Sequence, residues 1–264
     1  MIPLNFGLWW SGCGLSYLRY LTFKSLRHFH PDSKIQLFIG EDFNNEGYKW
    51  NVEKQDFEDA DNIKDYLPKL KDLDIEVINV DWFSQYPSNY QSDLFRWFYL
   101  NAYGGFYLDT DQIILKSFKS LPLDNDLLYT GYKAKSCGYY TPVGVIGAVK
   151  GIEITSVMKE LIPKHLDLNN YNSAGPFLFR EVLKYKEWKD KMLNLPSHCF
   201  YPVAESFMVG EIYSGKLRVL EDSFALHWYG GHPESQEFNK KYTEEFAKTG
   251  NDTISCLLRE EGII

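Results

Sequence analysis

Apolar positions along the chain alternate between two kinds of run. Residues 2–10 (IPLNFGLWW) and 34–39 (KIQLFI) are short and nearly continuous, the pattern of strands buried on both faces. Between them Leu15, Leu18, Leu21 and Leu26 recur at roughly helical spacing, which predicts a helix over 15–28 after a turn at Ser11-Gly12. Residues 41–72 are polar and weakly patterned, and predict a loop with a short helix near Ile63–Leu70. A third strand is expected at 75–80. Ser88 and Gln91 have the spacing of a capping box, so a helix is predicted from there to about Tyr103, stopped by Gly104-Gly105. Further strands are predicted at 106–109, 112–115, 126–132 and 143–149, and helices at 152–161 and 174–186. A late strand at 217–228 precedes a Gly230-Gly231 turn and a polar helical tail. Strands alternating with helices predict an α/β sheet. No repeat, low-complexity tract or Pro/Ser-rich linker interrupts the 264 residues, so a single domain over 1–264 is expected.

Composition narrows the possibilities. Hydrophobic residues make up 44% and charged residues 24%, as in ordinary globular proteins. The net charge is −8 with no basic run, which makes nucleic acid an unlikely partner because phosphate backbones need clustered Lys or Arg. A bare anionic substrate would be repelled too, unless a divalent cation reverses the local sign. Cys13, Cys137, Cys199 and Cys256 are scattered without a CxxC pair, so neither a disulfide framework nor a zinc site is expected. No apolar run reaches 18 residues and Met1-Ile2-Pro3 does not open a signal peptide; a cytoplasmic protein without a transmembrane segment is expected. Aromatics are abundant at 17%, which suits both a core and the walls of a sugar site.

Residues 92–111 (SDLFRWFYLNAYGGFYLDTD) carry the candidate chemistry. Asp109 and Asp111 follow a short aromatic strand; at a strand end, residues i and i+2 can converge on one ion. Hard carboxylate oxygens suit Mg²⁺ or Mn²⁺, which typically takes one or two carboxylates together with phosphate oxygens. Asp93 and Arg96 lie one helical turn apart on an otherwise apolar helix and share a face. Arg96 offers planar donors to phosphate or carboxylate, and Asp93 can accept from sugar hydroxyls. The competing readings are two surface aspartates in a turn and a simple Asp93–Arg96 ion pair.

Asp93, Arg96, Gly104, Gly105, Tyr107, Asp109 and Asp111 match in order and spacing the signature S-D-x-x-R…G-G-x-Y-x-D-x-D. The chain thereby resembles the glycosyltransferases whose sugar-binding region contains a DXD motif, a group that includes family 32 capsule and lipooligosaccharide transferases, initiating mannosyltransferases and glucosylating clostridial toxins. The resemblance implies a GT-A fold, a Rossmann-like α/β domain with a mixed sheet flanked by helices. It implies that Asp93 binds the ribose or donor sugar, Arg96 the sugar or phosphate, and Tyr107 the nucleotide. Asp111 would be a direct metal ligand, and Asp109 would bind ribose or the metal through water. Leu8-Trp9-Trp10-Ser11-Gly12 resembles the first-strand I-W-x-G segment, whose Trp stacks on the base; Trp9 is the candidate, against a plain core role. Gly144–Ala148 with Lys150-Gly151 resembles the strand after the metal motif. Asn172–Pro176 resembles the T-G-P segment at a helix start, making Ser173 and Gly175 candidates for the donor. Leu226-His227-Trp228 and Gly230-Gly231-His232 resemble the closing H-x-x-x-S-W segment, although the Ser-Trp ending is absent. His227 is the favoured third metal ligand and His232 the alternative.

The implied activity is transfer of a hexose from a nucleotide sugar, UDP-sugar favoured and GDP-mannose possible, to a hydroxyl acceptor such as a glycan. Manganese or magnesium would be the cofactor, and retention of anomeric configuration is implied by analogy, with a place in polysaccharide biosynthesis. Two rivals are distinguishable. A haloacid-dehalogenase-like phosphatase also uses D-x-D, with the first Asp as nucleophile, but it wants Thr or Val where Ile113 stands and a continuous aliphatic strand beforehand. A non-catalytic sugar-binding pseudo-enzyme would hydrolyse no nucleotide sugar.

Overall fold

The computed structural model describes residues 1–11, 14–41, 64–135, 138–185, 188 and 191–264. Its centre is a seven-stranded sheet of order β10-β6-β9-β4-β1-β2-β3. The strands β1 (Phe6–Trp10), β2 (Ile35–Ile39), β3 (Glu76–Asn79) and β4 (Gly105–Leu108) run parallel to one another. β1 and β4 are buried at every position, as continuous apolar runs require, whereas β3 is the exposed edge. Beyond β4, β9 (Val145–Ala148) runs antiparallel to both of its neighbours, β4 and β6 (Leu127–Thr130). β10 (Met192–Leu195) extends the sheet parallel to β6. A mixed sheet flanked by helices is the α/β architecture expected from the alternating pattern. In open sheets of this kind ligands bind outside the carboxyl ends of the parallel strands, and Asp109 directly follows β4.

Helix α1 (Tyr17–Phe29) begins at Ser16, whose hydroxyl accepts from the Arg19 N–H. It covers β5 (Gln112–Ile114), the short strand just after the aspartates. Helix α2 (Ser88–Tyr103) lies on β1 and β4 and buries Phe95, Trp97, Tyr99 and Leu100 completely. It ends at Gly104 (φ +69°), whose N–H returns to Leu100 O at 3.0 Å, and Gly105 (φ +95°) packs its α-carbon against the Asn5 carbonyl. Two positive-φ residues in succession turn the chain from α2 straight into β4, which sets the distance between Asp93-Arg96 and Asp109-Asp111. β5 pairs antiparallel with β11 (Ala225–His227), so residues more than a hundred positions apart in sequence close over the aspartates.

Several sequence expectations are corrected. The capping box does not form: Pro87 takes the N-cap, Ser88 lies inside the helix, and Gln91 Nε2 donates to Tyr86 O and Glu41 O. The late strand shrinks from 217–228 to Ala225–His227, because β5 offers a ladder of three residues and Ser223 N turns back to Leu220 O. The strand expected at 126–132 splits: β6 ends at Thr130, and Tyr132–Ala134 (β7) turns into a hairpin with Gly138–Tyr140 (β8). The helix expected at 174–186 is a π turn over Ser173–Phe177 followed by a short helix, Leu178–Val182. The expected helix near Ile63–Leu70 lies partly outside the described residues; within them a 3₁₀ helix spans Leu67–Leu73. Gly12, Cys13 and Cys137 lie outside the described residues, while Cys199 and Cys256 carry free thiols. No helix among the described residues is long and apolar enough to cross a membrane.

Candidate active site

Asp109, Asp111 and His227 come together at the carboxyl end of β4, with one ligand-capable atom of each within 4.8 Å of the others. Two different sets of neighbours hold the two aspartates. Asp109 is held by residues close in sequence. Tyr107, its i−2 neighbour on the same strand face, donates its hydroxyl to Asp109 Oδ1 at 2.6 Å. Arg96 Nη2 stands 3.6 Å from the same oxygen and 3.1 Å from Asp93 Oδ1, and its guanidinium lies 4.6 Å over the Tyr107 ring. The Asp109 N–H donates to Gly144 O, and a Cβ on Gly144 would meet Asp109 Oδ2 at 2.5 Å. The glycine in β9's approach is therefore a matter of room for a carboxylate.

Asp111 is held from the far end of the chain. The Gly230 N–H donates to Asp111 Oδ2 at 2.8 Å, the Trp228 N–H to the Asp111 backbone carbonyl at 3.0 Å, and His227 Nε2 faces Asp111 Oδ1 at 3.0 Å. Tyr229 adopts φ +56°, the bend that brings Gly230 round to the carboxylate. Burial alone would raise the Asp111 carboxyl, but the His227 imidazole, then Arg19 and the Gly230 N–H, outweigh it and hold the group well below the usual carboxylate range. Burial works against the His227 imidazolium, and Asp111 overcomes it, so this imidazole is shifted up.

Asp93 and Arg96 are 4% and 3% exposed, so their pairing is not a surface ion pair. Burial, opposed by Arg96 and reinforced by Asp109, pushes the Asp93 carboxyl up to about 7. Gly175 lies directly against it: a Cβ there would stand 2.6 Å from Asp93 Oδ1. Arg96 Nη1 is buried without a hydrogen-bond partner among the described residues.

The remaining expected residues are placed differently. Tyr107 is 1% exposed and serves Asp109 rather than lining an open surface. Trp9 is 4% exposed, with its indole against Phe95 and Phe83 at centroid distances of 4.9 and 6.0 Å, the packing of a core tryptophan. The Ser173 hydroxyl is engaged with the backbone N–H and carbonyl of Asp167, so it braces its own loop. His232 is the N-cap of a later helix, Pro233–Lys241, and His227, not His232, joins the carboxylates.

Two contributors, Tyr201 and Arg19, escaped the sequence reading, and a third, Gly144, was read only as part of the strand after the metal motif. Tyr201 packs its ring at 5.3 Å from His227 while its hydroxyl accepts from the Val145 N–H. Gly144 was legible as a glycine near a strand, but not what it approaches. Arg19 is a cation on the buried side of α1, and a charge among Leu18, Leu21 and Thr22 is the signal that could have found it.

The donor set fits a hard divalent cation. The two carboxylates suit Mn²⁺ or Mg²⁺, and the imidazole nitrogen tilts the set towards Mn²⁺. Asp111 Oδ1 is buried, and among the described residues its one close polar neighbour is His227 Nε2 at 3.0 Å. Adjacent ligands of an octahedral ion at about 2.1 Å are about 3 Å apart, so the His227–Asp111 separation, also that of an ordinary ion pair, is compatible with one shared ion.

Residues 19–128 match the family described as glycosyltransferase sugar-binding region containing DXD motif. No curated protein matches the chain significantly. Among solved structures, the chain is similar to the PaToxG glycosyltransferase (22% identity, 69% of each chain covered, TM-score 0.49). It is similar to an active-site mutant of LgtC (16% identity, 92% of this chain and 99% of that one, TM-score 0.48). It is also similar to the glycosyltransferase GlyE of Streptococcus pneumoniae TIGR4 (15% identity, 86% and 55%, TM-score 0.46).

Proposed function

We propose that this DXD-type glycosyltransferase region is a divalent-metal-dependent hexosyltransferase that uses a nucleoside diphosphate sugar, with a UDP-sugar favoured and a hydroxyl-bearing glycan as acceptor. The observation that carries the reading is the convergence of Asp109, Asp111 and His227 beyond the carboxyl end of β4. Asp111 and His227, with Asp109, would hold Mn²⁺ or Mg²⁺, which when bound supplies positive charge to a diphosphate leaving group.

The chain's own residues do the rest. Tyr107 and Arg96 fix Asp109 Oδ1, Oδ2 lies beside Gly144, and the side chain as a whole stays 30% exposed. Asp93, pressed between Arg96 and Gly175, is an acceptor for a donor-sugar hydroxyl, and the unpartnered Arg96 Nη1 is a donor for the sugar or phosphate. A shallow open depression at the carboxyl ends of β2 and β3, lined by Ile39, Gly40, Glu41, Asn79, Asp81 and Trp82, lies at the same end of the sheet and suits the nucleoside. Glu41 and Asp81 are acceptors for ribose hydroxyls there. Retention at the anomeric carbon is the expected stereochemical outcome.

The test is a panel of UDP- and GDP-sugars incubated with the protein and Mn²⁺. Slow metal-dependent release of the nucleoside diphosphate is expected for one donor, and it should vanish in Asp111→Ala. Near-normal release by that variant rules the assignment out. Hydrolysis of a generic phosphoester in its place would favour the phosphatase chemistry.

A further inference from the structure

Asp109 and Asp111 are separated by Thr110, and Thr110 is gripped from beneath by helix α1. Arg19 Nη1 donates to Thr110 Oγ1 at 2.6 Å, and Thr22, one turn further along the same helix face, donates its hydroxyl to Thr110 O at 2.8 Å. Arg19 is 5% exposed and therefore a buried cation. Its guanidinium is stacked between two indoles, 4.5 Å from the Trp10 ring and 5.1 Å from the Trp228 ring. Trp10 ends β1, Thr110 is the middle of the D-x-D turn, and Trp228 directly follows His227. One side chain thus touches the first strand, the metal motif and the closing segment. It is anchored in the first turn of α1, where its own N–H is capped by Ser16.

We propose that Arg19 is a positioning residue that assembles the metal site: by fixing Thr110 and stacking on Trp228 it brings the His227 segment against Asp111. The inference rests on the reading that Asp109, Asp111 and His227 hold a metal. Charge and geometry act in opposite directions here. A guanidinium near a divalent cation repels it, so if Arg19 acted only as a charge its removal would tighten metal binding. If it acts by placing ligands, removal weakens binding, as loss of an outer contact commonly does by about 10–100-fold.

The experiment is titration of the whole chain with Mn²⁺ in the presence of UDP, read as the loss of the free-ion electron paramagnetic resonance signal. Three variants are compared. Arg19→Met removes the charge and the bond to Thr110 but keeps a slender stem between the indoles. Arg19→Lys keeps the charge and loses the planar stack. Thr110→Val removes the acceptor hydroxyl at constant volume and charge. The expected result is an Mn²⁺ Kd raised at least about tenfold in Arg19→Met, less in Arg19→Lys, and a few-fold in Thr110→Val, with near-ultraviolet circular dichroism retained. An unchanged or lowered Kd in folded Arg19→Met overturns the proposal, since a purely structural role would lower Tm without changing the affinity of the folded fraction. If Arg19→Met does not fold, an unchanged Kd in Thr110→Val overturns it. Failure of the parent protein to bind Mn²⁺ would overturn the metal reading and this inference together; tight binding by parent and variants alike overturns only the inference.

Discussion

Two supports meet at the D-x-D turn, and they are built differently. The support for Asp109 is local: Tyr107 two residues before it, and Arg96 and Asp93 on the helix just upstream. The support for Asp111 is remote: His227, Trp228 and Gly230 arrive through the three-residue pairing of β5 with β11. The first is tied to a central strand buried at every position, the second to a short two-stranded sheet. Asp109 keeps 30% of its side chain exposed and Asp111 13%. The difference fits the proposed roles: the remote clamp encloses the carboxylate proposed to bind the metal directly, and the local one leaves the other carboxylate more exposed.

The strongest challenge to that division is substitution of each aspartate. Asp111→Asn should lower turnover by about 10²–10³-fold or more, with Asp109→Asn milder and felt more in donor KM. Equal losses in both parameters would erase the distinction. Next comes room for the carboxylates. Gly144→Ala places a methyl 2.5 Å from Asp109 Oδ2, and Gly175→Ala one 2.6 Å from Asp93 Oδ1. Each should cost about 1–3 kcal/mol of stability, measured by denaturant unfolding, with Gly144→Ala also weakening Mn²⁺ binding. Tyr107→Phe sharpens the comparison at lower cost. Losing one hydrogen bond should reduce stability by about 1 kcal/mol and metal affinity by about tenfold, measured by titration, while leaving the His227 resonances in place.

The smallest effect at neutral pH is a control lying outside both clamps. His30 is 1% exposed, its Nε2 accepts from the Phe118 N–H, and burial, then Lys119 and Arg27, lower its pKa to about 4. A histidine with a lowered folded pKa contributes fully above its unfolded value of about 6.5, and that stability is lost as pH falls towards 4. Acid should therefore destabilise the fold by roughly 2–3 kcal/mol over this window, and His30→Gln should flatten the dependence. Unfolding midpoints at pH 7 and 4.5 then separate loss of the fold from loss of the site.

The same contrast explains what could be read from the sequence. Asp93 and Arg96 at helical spacing, Gly104-Gly105 as a break and Asp109-Asp111 at strand spacing all fall within one helix and one strand, where residue periodicity fixes which side chains share a face. β2 and α1 were likewise visible as apolar runs. The remote clamp depends on a ladder between residues more than a hundred positions apart, which no local period encodes; Val219-Leu220 looked like strand but had no partner once β5 ended at Ile114. β10 and the β7–β8 hairpin were missed because Met192–Leu195 is short and only half-buried and Tyr132–Tyr140 is mostly polar. A tryptophan at a strand's carboxyl end, such as Trp9, does not announce in sequence whether it faces the core or a ligand.

The central claim is that Asp109, Asp111 and His227 converge on one divalent cation. Anomalous diffraction from crystals grown with Mn²⁺ and UDP tests it most directly. A single strong peak is expected within about 2.1–2.3 Å of Asp111 and His227 ligand atoms, with Asp109 adjacent. A manganese peak bound elsewhere, with the Asp111–His227 pair intact and unligated, would contradict it.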